Sequence, residues 1–397
     1  MEHRRVVILG ATGSIGTQAL DIVRQNPELF SVVGLGAGGS NLELLAKQVV
    51  EFSVPHVAIA DESGAQELTE RIAALLPDGR EMPTLLIGAQ AIAELATLDC
   101  DVVLNGITGA AGLLPTVAAL KAGHHLALAN KESLVIGGRA VTSLAKTGQI
   151  VPVDSEHSAL AQCLWAGTAS EVRKLILTAS GGPFRNANPS DLEKVTAEQA
   201  LNHPTWSMGP VVTINSSTMF NKGLELIEAH LLFDIPIERI EVVIHPQSIV
   251  HSMVEFVDGS TIAQASPPDM HIPIALGLGW PHRVPSSSAA CDWSAATSWT
   301  FEPVNHSLFP AINLAKKVGQ IAGTLPAAMN AANEVAVAAF LAGQIQYLDI
   351  MKLVNTTVEQ HLLAGFVADE DLTVESVTLA NQWASEFTKQ ILQSERG

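Results

Sequence analysis

The stretch RRVVILGATGSIGTQALDIV, residues 4–23, constrains the possible fold more than any other part of the chain. A short apolar run precedes Gly10, Gly13 and Gly16, and a segment with apolar residues at helical spacing follows them. This order of strand, glycine-rich turn and helix lets backbone amides and a helix N-terminus approach a pyrophosphate. The spacing is G-x-x-G-x-x-G rather than G-x-G-x-x-G, so an ordinary tight turn between a strand and a helix stays an alternative.

Four further apolar runs follow at intervals that leave room for helices: FSVVGLGAG, PHVAIA, DVVLNGITG and HLALANK. Strands that alternate with helices predict a doubly wound, parallel, Rossmann-like sheet, which we assign to a dinucleotide-binding domain over residues 1–150. Such α/β sheets bind ligands at the carboxyl ends of their strands. The polar and glycine residues that end the last two runs are therefore expected near a ligand: Asn105, Gly106, Asn130, Lys131 and Glu132.

The residues after the second strand bear on which dinucleotide is bound. In NAD-binding sheets an Asp or Glu at this point bonds the ribose 2′-hydroxyl group. Here Ala37, Gly38, Gly39, Ser40 and Asn41 include no acid, which favours NADP because an acid would repel its 2′-phosphate. No Arg or Lys stands there either, so the preference rests on hydroxyl, amide and helix-end contacts.

Two carboxylates, Asp154 and Glu156, follow another apolar run in VPVDSEHSAL, residues 151–160. In an extended chain their side chains would point the same way. Two acids on one face repel each other unless they are protonated or bind a cation, so the pair predicts half of a metal site. The alternative is that Asp154 caps a helix predicted over SEHSALAQCLW.

A third acid for such a site occurs in NSSTMFNKGLELIEAHLL, residues 215–232, which predicts one helix with a serine cap. Glu225 follows Lys222 by three residues and Asn221 by four, so the three side chains share a helix face. Carboxylate oxygens suit Mg²⁺ or Mn²⁺ with open positions for substrate oxygens. An ordinary surface ion pair is the alternative, and spacing alone does not bring this acid to the other two.

Between these acids lies a segment rich in Gly, Pro and Asn that carries Trp206 in an otherwise polar setting. One interpretation is a loop that the tryptophan anchors to the core. The other is a lid over about residues 181–210 that folds an aromatic ring over a ligand and excludes water. The sequence leaves both interpretations open.

Composition argues against several classes of protein. The formal net charge of −18 is unsuited to a broad nucleic-acid surface, which needs a basic field. No apolar run reaches the roughly 18 residues that span a bilayer, so we expect no membrane association. The apolar run near the N-terminus is also shorter than a signal-peptide core. Three scattered cysteines without a C-x-x-C pattern indicate reduced thiols in the cytoplasm and no structural zinc.

The remaining sequence predicts a middle α+β catalytic and dimerisation domain and a helical end. We assign the middle domain to residues 151–285, a linker to 286–310 and a C-terminal helical bundle to 311–397. Alternating apolar residues over 239–265, with a turn at Asp258-Gly259, predict two antiparallel strands. His245, His251 and His271 are expected to be mostly structural.

Several of these stretches together resemble one family, the 1-deoxy-D-xylulose 5-phosphate reductoisomerases of the non-mevalonate isoprenoid pathway. The matching segments run in order along nearly the whole chain: LGATGSIG, NGITGAAGL, LALANKESLV, VDSEHSA, TASGGPF, HPTWSMG, STMFNKGLELIEA, HPQSIVHSMV and NAANEVAVAAF. The resemblance implies a homodimer that converts 1-deoxy-D-xylulose 5-phosphate, a small phosphorylated sugar, to 2-C-methyl-D-erythritol 4-phosphate. It also implies NADPH and Mg²⁺ or Mn²⁺ as cofactors.

The resemblance implies roles for individual residues as well. The metal ligands would be Asp154, Glu156 and Glu225, while Lys222, Glu156 and a metal-bound water are the candidates for proton transfer. The substrate would contact Ser155, Glu156, Ser180, His203, Trp206, Ser216, Asn221, Lys222 and Glu225, with Met208 as a further lid residue. The cofactor would contact Thr12, Gly13, Ser14, Ile15, Gly38, Gly39, Asn41, Asn130, Lys131, Glu132, Gly209 and Met270.

One departure from the family concerns the cofactor. Many members carry a basic residue after the second strand, where this chain has Gly39 and Ser40, so the strength of its preference for NADPH over NADH is left open. Two other classes also stay open. One is another NADP-linked oxidoreductase, such as a semialdehyde or homoserine dehydrogenase, which does not require three clustered carboxylates. The other is a non-catalytic nucleotide-sensing protein.

Overall fold

The computed structural model describes residues 1–206 and 208–394, so Ser207 in the predicted lid and residues 395–397 of the predicted C-terminal domain lie outside the described residues. The described chain divides into two compact units. The first unit comprises Met1–Asn130, Leu144–Ser158 and Asp269–Ala289, and the second comprises Lys131–Ser143, Ala159–Pro268 and the chain from Ala290 onward. The domain boundaries expected from the sequence stay predictions.

Strands and helices alternate through the first 150 residues, and helices dominate the C-terminal part. The strands are β1 Arg4–Leu9, β2 Phe30–Ala37, β3 His56–Ile59, β4 Thr84–Ile87, β5 Val102–Asn105, β6 His125–Leu128, β7 Ile150–Pro152, β8 Val172–Ala179, β9 Ile240–Ile244, β10 Val250–Phe256, β11 Thr261–Ala265 and β12 Glu302–Pro303. The helices are α1 Ser14–Gln25, α2 Leu42–Glu51, α3 Ala65–Leu75, α4 Ala91–Leu95, α5 Leu113–Ala122, α6 Lys131–Thr142, α7 Ser155–Cys163, α8 Pro189–Leu192, α9 Ala197–Leu201, α10 Pro210–Ser217, α11 Phe220–Phe233, α12 His271–Gly279, α13 Ala311–Ile321, α14 Leu325–Leu341, α15 Asp349–Ala364 and α16 Val374–Ser394.

The first unit is built on a parallel sheet with the strand order β4-β3-β2-β1-β5-β6-β7. The direction in which strands are added reverses between β1 and β5, and doubly wound sheets bind ligands at this switch point. The Rossmann-like fold predicted from the sequence is confirmed. The sequence did not predict β4, because its residues are exposed or half-buried and form no buried apolar run.

The core of the first unit explains why its strands read as continuous apolar runs. Val6, Ile8, Val102 and Leu104 have no exposed surface, and they belong to one hydrophobic core with Ile274 of α12. Central strands of a parallel sheet are covered on both faces, so their residues need not alternate. Burying a side chain of this size contributes about 1.5–3 kcal/mol.

The glycines after β1 are required by backbone conformation and by close packing. Gly10 has a φ of +83°, and a Cβ there would lie 2.8 Å from the carbonyl oxygen of Gly106, which follows β5. A Cβ on Gly16 would lie 2.3 Å from the carbonyl oxygen of Gly10. The turn after β1 and the turn after β5 therefore meet at the switch point through backbone atoms, and this close approach requires glycine at residue 10.

The second unit contains a mixed sheet with the order β11-β10-β8-β9-β12. The predicted antiparallel pair is confirmed as β10 and β11, and its turn holds Gly259 at a φ of +89°. The carboxylate of Asp258 accepts hydrogen bonds from the amide and the hydroxyl of Ser260, at 2.9 and 2.7 Å. Asx turns of this kind stabilise a chain reversal, which is why the turn could be recognised from the sequence.

The prediction of one serine-capped helix over residues 215–232 is wrong. Helix α10 ends at Ser217, Met219 adopts a left-handed φ of 60°, and α11 begins at Phe220. The Ser217 hydroxyl donates to the carbonyl of Ile214 at 2.7 Å, so it lies at the end of one helix instead of capping the next. The corner separates Ser216 from the acid-bearing face of α11.

The predicted C-terminal helical bundle is confirmed for the described residues up to 394. Helix α14 packs against both α15 and α16, and α13 packs against α11. Thr324, just before α14, bonds His361 of α15 at 2.8 Å through its hydroxyl group, which also accepts from the amide of Val367. Among the described helices, we find none that is long and apolar enough to cross a membrane.

Gly10→Ala tests the close approach at the switch point. Alanine would have to keep a φ of +83° and place its Cβ against Gly106. A left-handed conformation costs about 1–2 kcal/mol and overpacking about 1–3 kcal/mol, so we expect the free energy of unfolding to fall by about 2–5 kcal/mol. Urea unfolding followed by circular dichroism measures this loss.

Gly79→Ala is the matched control for that variant. Gly79 has a φ of +82°, but no heavy atom lies within 4 Å of the position its Cβ would take. It should therefore show the cost of the left-handed conformation alone, about 1 kcal/mol. Equal losses in the two variants would contradict the steric explanation.

Candidate active site

The start of α1 has the features of an anion-binding site. Gly13 and Ser14 are exposed, the first turn contains no acid, and no side chain caps the helix. The first backbone amides of a helix lack intrahelical acceptors and carry partial positive charge, so they suit a pyrophosphate. The predicted cofactor residues Thr12, Gly13, Ser14 and Ile15 all lie in this turn.

Two asparagines hold the turn that follows β5. Asn105 donates from its amide to Gly112 O at 3.0 Å, and its side-chain oxygen accepts from the amide of Ile107. Asn130 donates to the carbonyls of Ile107 and Gly109, at 2.7 and 2.9 Å. The turn is thereby fixed next to Gly10. The expected contact between Asn130 and a cofactor stays a prediction.

The loop after β2 contains no acid of its own, but Asp61 from another part of the first unit lies next to it. Asn41 caps α2 by accepting from the amide of Leu44 at 3.1 Å. Gly39 has a φ of +118°, and its Cβ would lie 2.9 Å from the Cβ of Asp61, which follows β3. Sequence reasoning missed Asp61, because only the pairing of β2 with β3 brings it near the loop.

The acid pair of the first unit lies at the start of α7. Strand β7 ends at Pro152 and α7 begins at Ser155, so Asp154 and Glu156 do not form the extended segment in which their side chains would share a face. A carboxylate oxygen of Asp154 accepts from the amide of Glu156 at 3.3 Å, which is the predicted alternative of a helix cap. Ser155 donates from its hydroxyl to the carboxylate of Glu156. Both acids remain at the carboxyl end of the sheet.

Glu225 of the second unit is surrounded by hydrogen-bond donors. Its side chain is 1% exposed, and it accepts from Asn221 and Lys222 on its own helix. Lys131, the first residue of α6, adds an ammonium group 3.0 Å from Glu225 and 3.1 Å from the side-chain oxygen of Asn221. The interpretation as a surface ion pair is therefore wrong, because Lys222 is only 5% exposed.

Sequence reasoning predicted Lys131 near the cofactor and missed its pairing with Glu225. The two residues are 94 positions apart, and no local pattern connects them. Glu132 follows Lys131 in the first turn of α6.

In the first unit, Met270 lies at the start of α12 and packs against the core, so its expected contact with the nicotinamide stays a prediction.

The turn after β8 lies against the end of α10. Gly182 has a φ of +66°, and its Cβ would lie 2.9 Å from the carbonyl oxygen of Ser216. The hydroxyl of Ser180 accepts from the amide of Gly182 at 3.2 Å. Two of the serines predicted to contact the substrate thus belong to one region of the second unit, although they come from separate elements.

His203 organises the segment predicted as a lid. Its Nδ1 accepts from the amides of Thr205 and Trp206, at 3.2 and 2.9 Å. The proton is therefore on Nε2, which donates to the hydroxyl of Ser180 at 3.0 Å. Trp206 makes an edge contact with His251 of β10, with ring centroids 6.1 Å apart. This contact is the predicted anchor of the loop, and the role as a lid stays a prediction.

His245 and His251 have the structural role expected of them. His245 accepts from the amides of Ile249 and Val250 through Nε2 and bonds the carbonyl of Thr300 through Nδ1. His251 bonds the carbonyl of Ser266 at 3.1 Å. These bonds hold loops to the mixed sheet.

Gly209, a predicted cofactor residue, directly precedes α10 and has no heavy atom within 4 Å of its would-be Cβ.

The doubly wound sheet, its glycine-rich turn and the buried polar groups of the second unit define a class, the dinucleotide-dependent oxidoreductases. Models of 1-deoxy-D-xylulose 5-phosphate reductoisomerase and of its C-terminal domain match residues 6–138, 150–233 and 265–387. The chain belongs to the 1-deoxy-D-xylulose 5-phosphate reductoisomerase family. The resemblance found in the sequence is confirmed.

Individual relatives match over nearly their whole length. The 1-deoxy-D-xylulose 5-phosphate reductoisomerase of Arthrobacter sp. (strain FB24) is 56% identical over 394 residues, with 99% of each chain covered. A crystal structure of DOX-P reductoisomerase in complex with NADPH, fosmidomycin and magnesium has a TM-score of 0.92 at 36% identity, covering 99% of both chains. The enzyme of Zymomonas mobilis in complex with NADPH has a TM-score of 0.89 at 39% identity, covering 99% of this chain and all of that one.

The bonds of His203 predict that the lid segment responds to pH. Burial lowers the pKa of His203 below its ordinary value, so the folded protein favours the neutral ring. The stabilisation from the neutral ring is present above the unfolded pKa of about 6.5 and is lost as the pH falls through the lowered value. Protonated Nδ1 cannot accept from Thr205 and Trp206. The measurement is amide hydrogen exchange, corrected for the pH dependence of the intrinsic exchange rate. The amides of Thr205 and Trp206 should be less protected at pH 5 than at pH 7.5.

His203→Asn provides the control for this measurement. The amide oxygen of asparagine can accept the same backbone hydrogen bonds but does not titrate. Protection of the two amides should then be similar at both pH values. Protection that falls equally in the wild-type protein and in this variant would show that His203 is not the responsible group.

Proposed function

We propose that this protein uses NADPH and a divalent metal ion to convert 1-deoxy-D-xylulose 5-phosphate to 2-C-methyl-D-erythritol 4-phosphate. The observation that carries the proposal is the near-complete match to reductoisomerases at about 56% identity. Related crystal structures that contain NADPH, fosmidomycin and magnesium support it. The small phosphorylated sugar is the proposed substrate.

The glycine-rich turn of the first unit fits a dinucleotide. Where Gly10 meets Gly106, a Cβ would collide with backbone, so the turn exposes amides without side chains. We propose that Thr12, Gly13, Ser14 and Ile15 hold the pyrophosphate, and that Gly38, Gly39 and Asn41 border the adenosine ribose. Asn130, Lys131, Glu132, Gly209 and Met270 complete the proposed cofactor contacts. Bound NADPH supplies the hydride.

The donor chemistry of the acids fits a hard cation. We propose Asp154, Glu156 and Glu225 as ligands of Mg²⁺ or Mn²⁺, since carboxylate oxygens are the ligands these ions prefer. Such an ion polarises a carbonyl group and stabilises negative charge on oxygen. Two of the proposed ligands belong to the first unit and one to the second. The carboxylate of Glu225 supports its role, because it offers the oxygen ligand that such ions bind and its neighbours hold it in a fixed position.

The protein's own groups would bind and orient the substrate. We propose that Ser180, Ser216 and Asn221 contact its phosphate and hydroxyl groups, together with Ser155. Lys222 and Glu156 are the proposed groups for proton transfer, at Nζ and at the carboxylate. The buried ammonium groups of Lys131 and Lys222 also hold Glu225 in one orientation. A site with fixed donors needs little rearrangement during reaction.

Exclusion of water is the proposed role of the lid segment. Because the carbon skeleton is broken and rejoined in the proposed reaction, fragments must not escape and water must not enter. His203 and Trp206 are the proposed closing residues. Their support is the network that His203 already forms with the segment backbone and with Ser180.

We also propose a homodimer in the reducing cytoplasm. The exposed residues of the edge strand β11, which pairs only with β10 among the described strands, support an interface there. The three unpaired cysteines support a reducing compartment. Sedimentation velocity on the purified protein tests the dimer, and a monomer at all concentrations would contradict it.

Direct assay tests the proposed reaction. Purified protein with 1-deoxy-D-xylulose 5-phosphate, NADPH and Mg²⁺ should oxidise the nicotinamide, which is followed by its loss of absorbance. EDTA should abolish turnover, and added Mg²⁺ or Mn²⁺ should restore it. Reduction that is insensitive to EDTA would favour an NADP-linked dehydrogenase of another kind. Binding of NADPH without any turnover would favour a sensing protein.

Glu225→Gln tests the proposed metal ligand. Glutamine keeps the size of the side chain but loses the negative charge, so affinity for Mn²⁺ should fall by at least about tenfold and kcat by roughly 100-fold or more. Affinity for NADPH should stay within about twofold. Metal binding is measured by isothermal titration calorimetry.

Glu359→Gln is the control for that variant, because this glutamate is exposed on α15. It removes the same charge and should leave both Mn²⁺ affinity and kcat unchanged. Full activity of the Glu225 variant would contradict its role as a ligand.

A further inference from the structure

An acid that comes just after β3, Asp61, lies beside the loop that follows β2. The two strands are parallel neighbours, with Ala37 paired to Ile59 at their carboxyl ends. Beyond the strands, the amide of Ala60 donates to the carbonyl of Ala37 at 3.1 Å, and the amide of Asp61 donates to the carbonyl of Gly38 at 3.0 Å. The loop at 38–41 therefore runs next to Asp61.

The side chain of Asp61 fills the space beside Gly39. A Cβ on Gly39 would lie 2.9 Å from the Cβ of Asp61 and 3.7 Å from its carboxyl carbon. The carboxyl group of Asp61 thus lies directly beside the loop at Gly39. In doubly wound folds, the residues after β2 face the 2′ position of the adenosine ribose. An acid there bonds a 2′-hydroxyl group and repels a 2′-phosphate.

We infer that Asp61 is a specificity-determining residue, whose carboxylate weakens binding of the 2′-phosphate and so reduces the discrimination between NADPH and NADH. This inference rests on the proposed function, in which the protein binds a nicotinamide dinucleotide in the first unit. It assigns to a residue that follows β3 the role that the residues directly after β2 have in other doubly wound folds.

The charge of Asp61 is retained and poorly compensated. The amide and hydroxyl of Ser63 both donate to its carboxylate, at 3.0 and 2.7 Å, and these bonds lower the pKa of Asp61. Across residues 37–63 the sequence contains one Lys and no Arg. That Lys47 pairs with Glu43 at 2.6 Å. The segment thus offers the ribose end of the site no unpaired cationic side chain of its own.

A structural role for Asp61 is the competing explanation. Its bonds to Ser63 cap the short 3₁₀ turn Glu62–Gly64, and a cap alone would account for an aspartate at this position. Asn and Ser are also good caps, so Asp61→Asn and Asp61→Ser remove the charge while keeping the capping group. The two explanations then differ in what they predict for nucleotide binding.

The experiment measures the affinity of the purified full-length protein, without sugar substrate, for 2′,5′-ADP, NADPH and NADH by isothermal titration calorimetry. With charges several ångströms apart near the surface, removing the carboxylate should tighten 2′,5′-ADP and NADPH on the order of fivefold. NADH affinity should stay the same or weaken. The tightening should shrink towards zero in 0.5 M salt, because salt screens exposed charges.

Asp78→Asn is the matched control. It removes one charge from the loop between α3 and β4. This loop leads into the amino end of a strand, away from the carboxyl ends where the nucleotide is proposed to bind, so all three affinities should stay unchanged. Asp61→Ser must reproduce the effect of Asp61→Asn, so the result does not depend on one variant folding well. An unchanged NADPH-to-NADH ratio, or equal weakening of both nucleotides, would overturn the inference.

The outcomes separate this inference from the proposed function. A wild-type protein that binds none of the three nucleotides contradicts both. A wild-type protein that binds NADPH and turns over the sugar phosphate, with an Asp61→Asn variant of unchanged nucleotide ratio, contradicts only the role of Asp61. Tightening of 2′,5′-ADP in both Asp61 variants, and not in Asp78→Asn, supports it.

Discussion

Parallel strand alignment is the constraint on which the architecture of the first unit depends. Because all strands of its sheet run the same way, their carboxyl ends and the turns that follow share one edge. At the switch point the turn after β1 reaches the turn after β5 through glycine backbone, and Asn105 and Asn130 hold the latter in place. The same alignment brings Asp61 to the loop after β2. The proposed cofactor contacts that come directly after β1, β2 and β6 follow from that shared edge.

The second unit depends on a different condition, the compensation of buried charge. Glu225 is almost fully buried, and such a carboxylate is stable only with hydrogen-bond donors and cations around it. Lys131 from α6 and Lys222 from α11 supply these. The Lys131–Glu225 pair thereby connects two helices that are distant in sequence. This explains why a chain with only 22 Lys and Arg residues places two of them in its interior.

Local patterns made much of the fold predictable. Residues close together in the sequence determine the glycine turn, the apolar strands and the hairpin at Asp258-Gly259, so these features could be recognised locally. Contacts that depend on tertiary pairing were not visible: the approach of Lys131 to Glu225, and of Asp61 to Gly39. The conformation at Asp154 and Glu156 was left open, because alternation over three residues cannot separate an extended segment from a capped helix.

The corner between α10 and α11 opposes local preference. Met219 adopts the left-handed conformation that glycine would favour, yet its side chain is 2% exposed and belongs to the hydrophobic core. A glycine at residue 219 would remove the backbone strain but leave a cavity in the core. No single residue type can therefore provide both an unstrained φ and a large buried side chain here. Tertiary packing must therefore impose this bend. The corner between Ser216 and Glu225 is therefore coupled to the core: loosening the packing around the methionine would also release the bend.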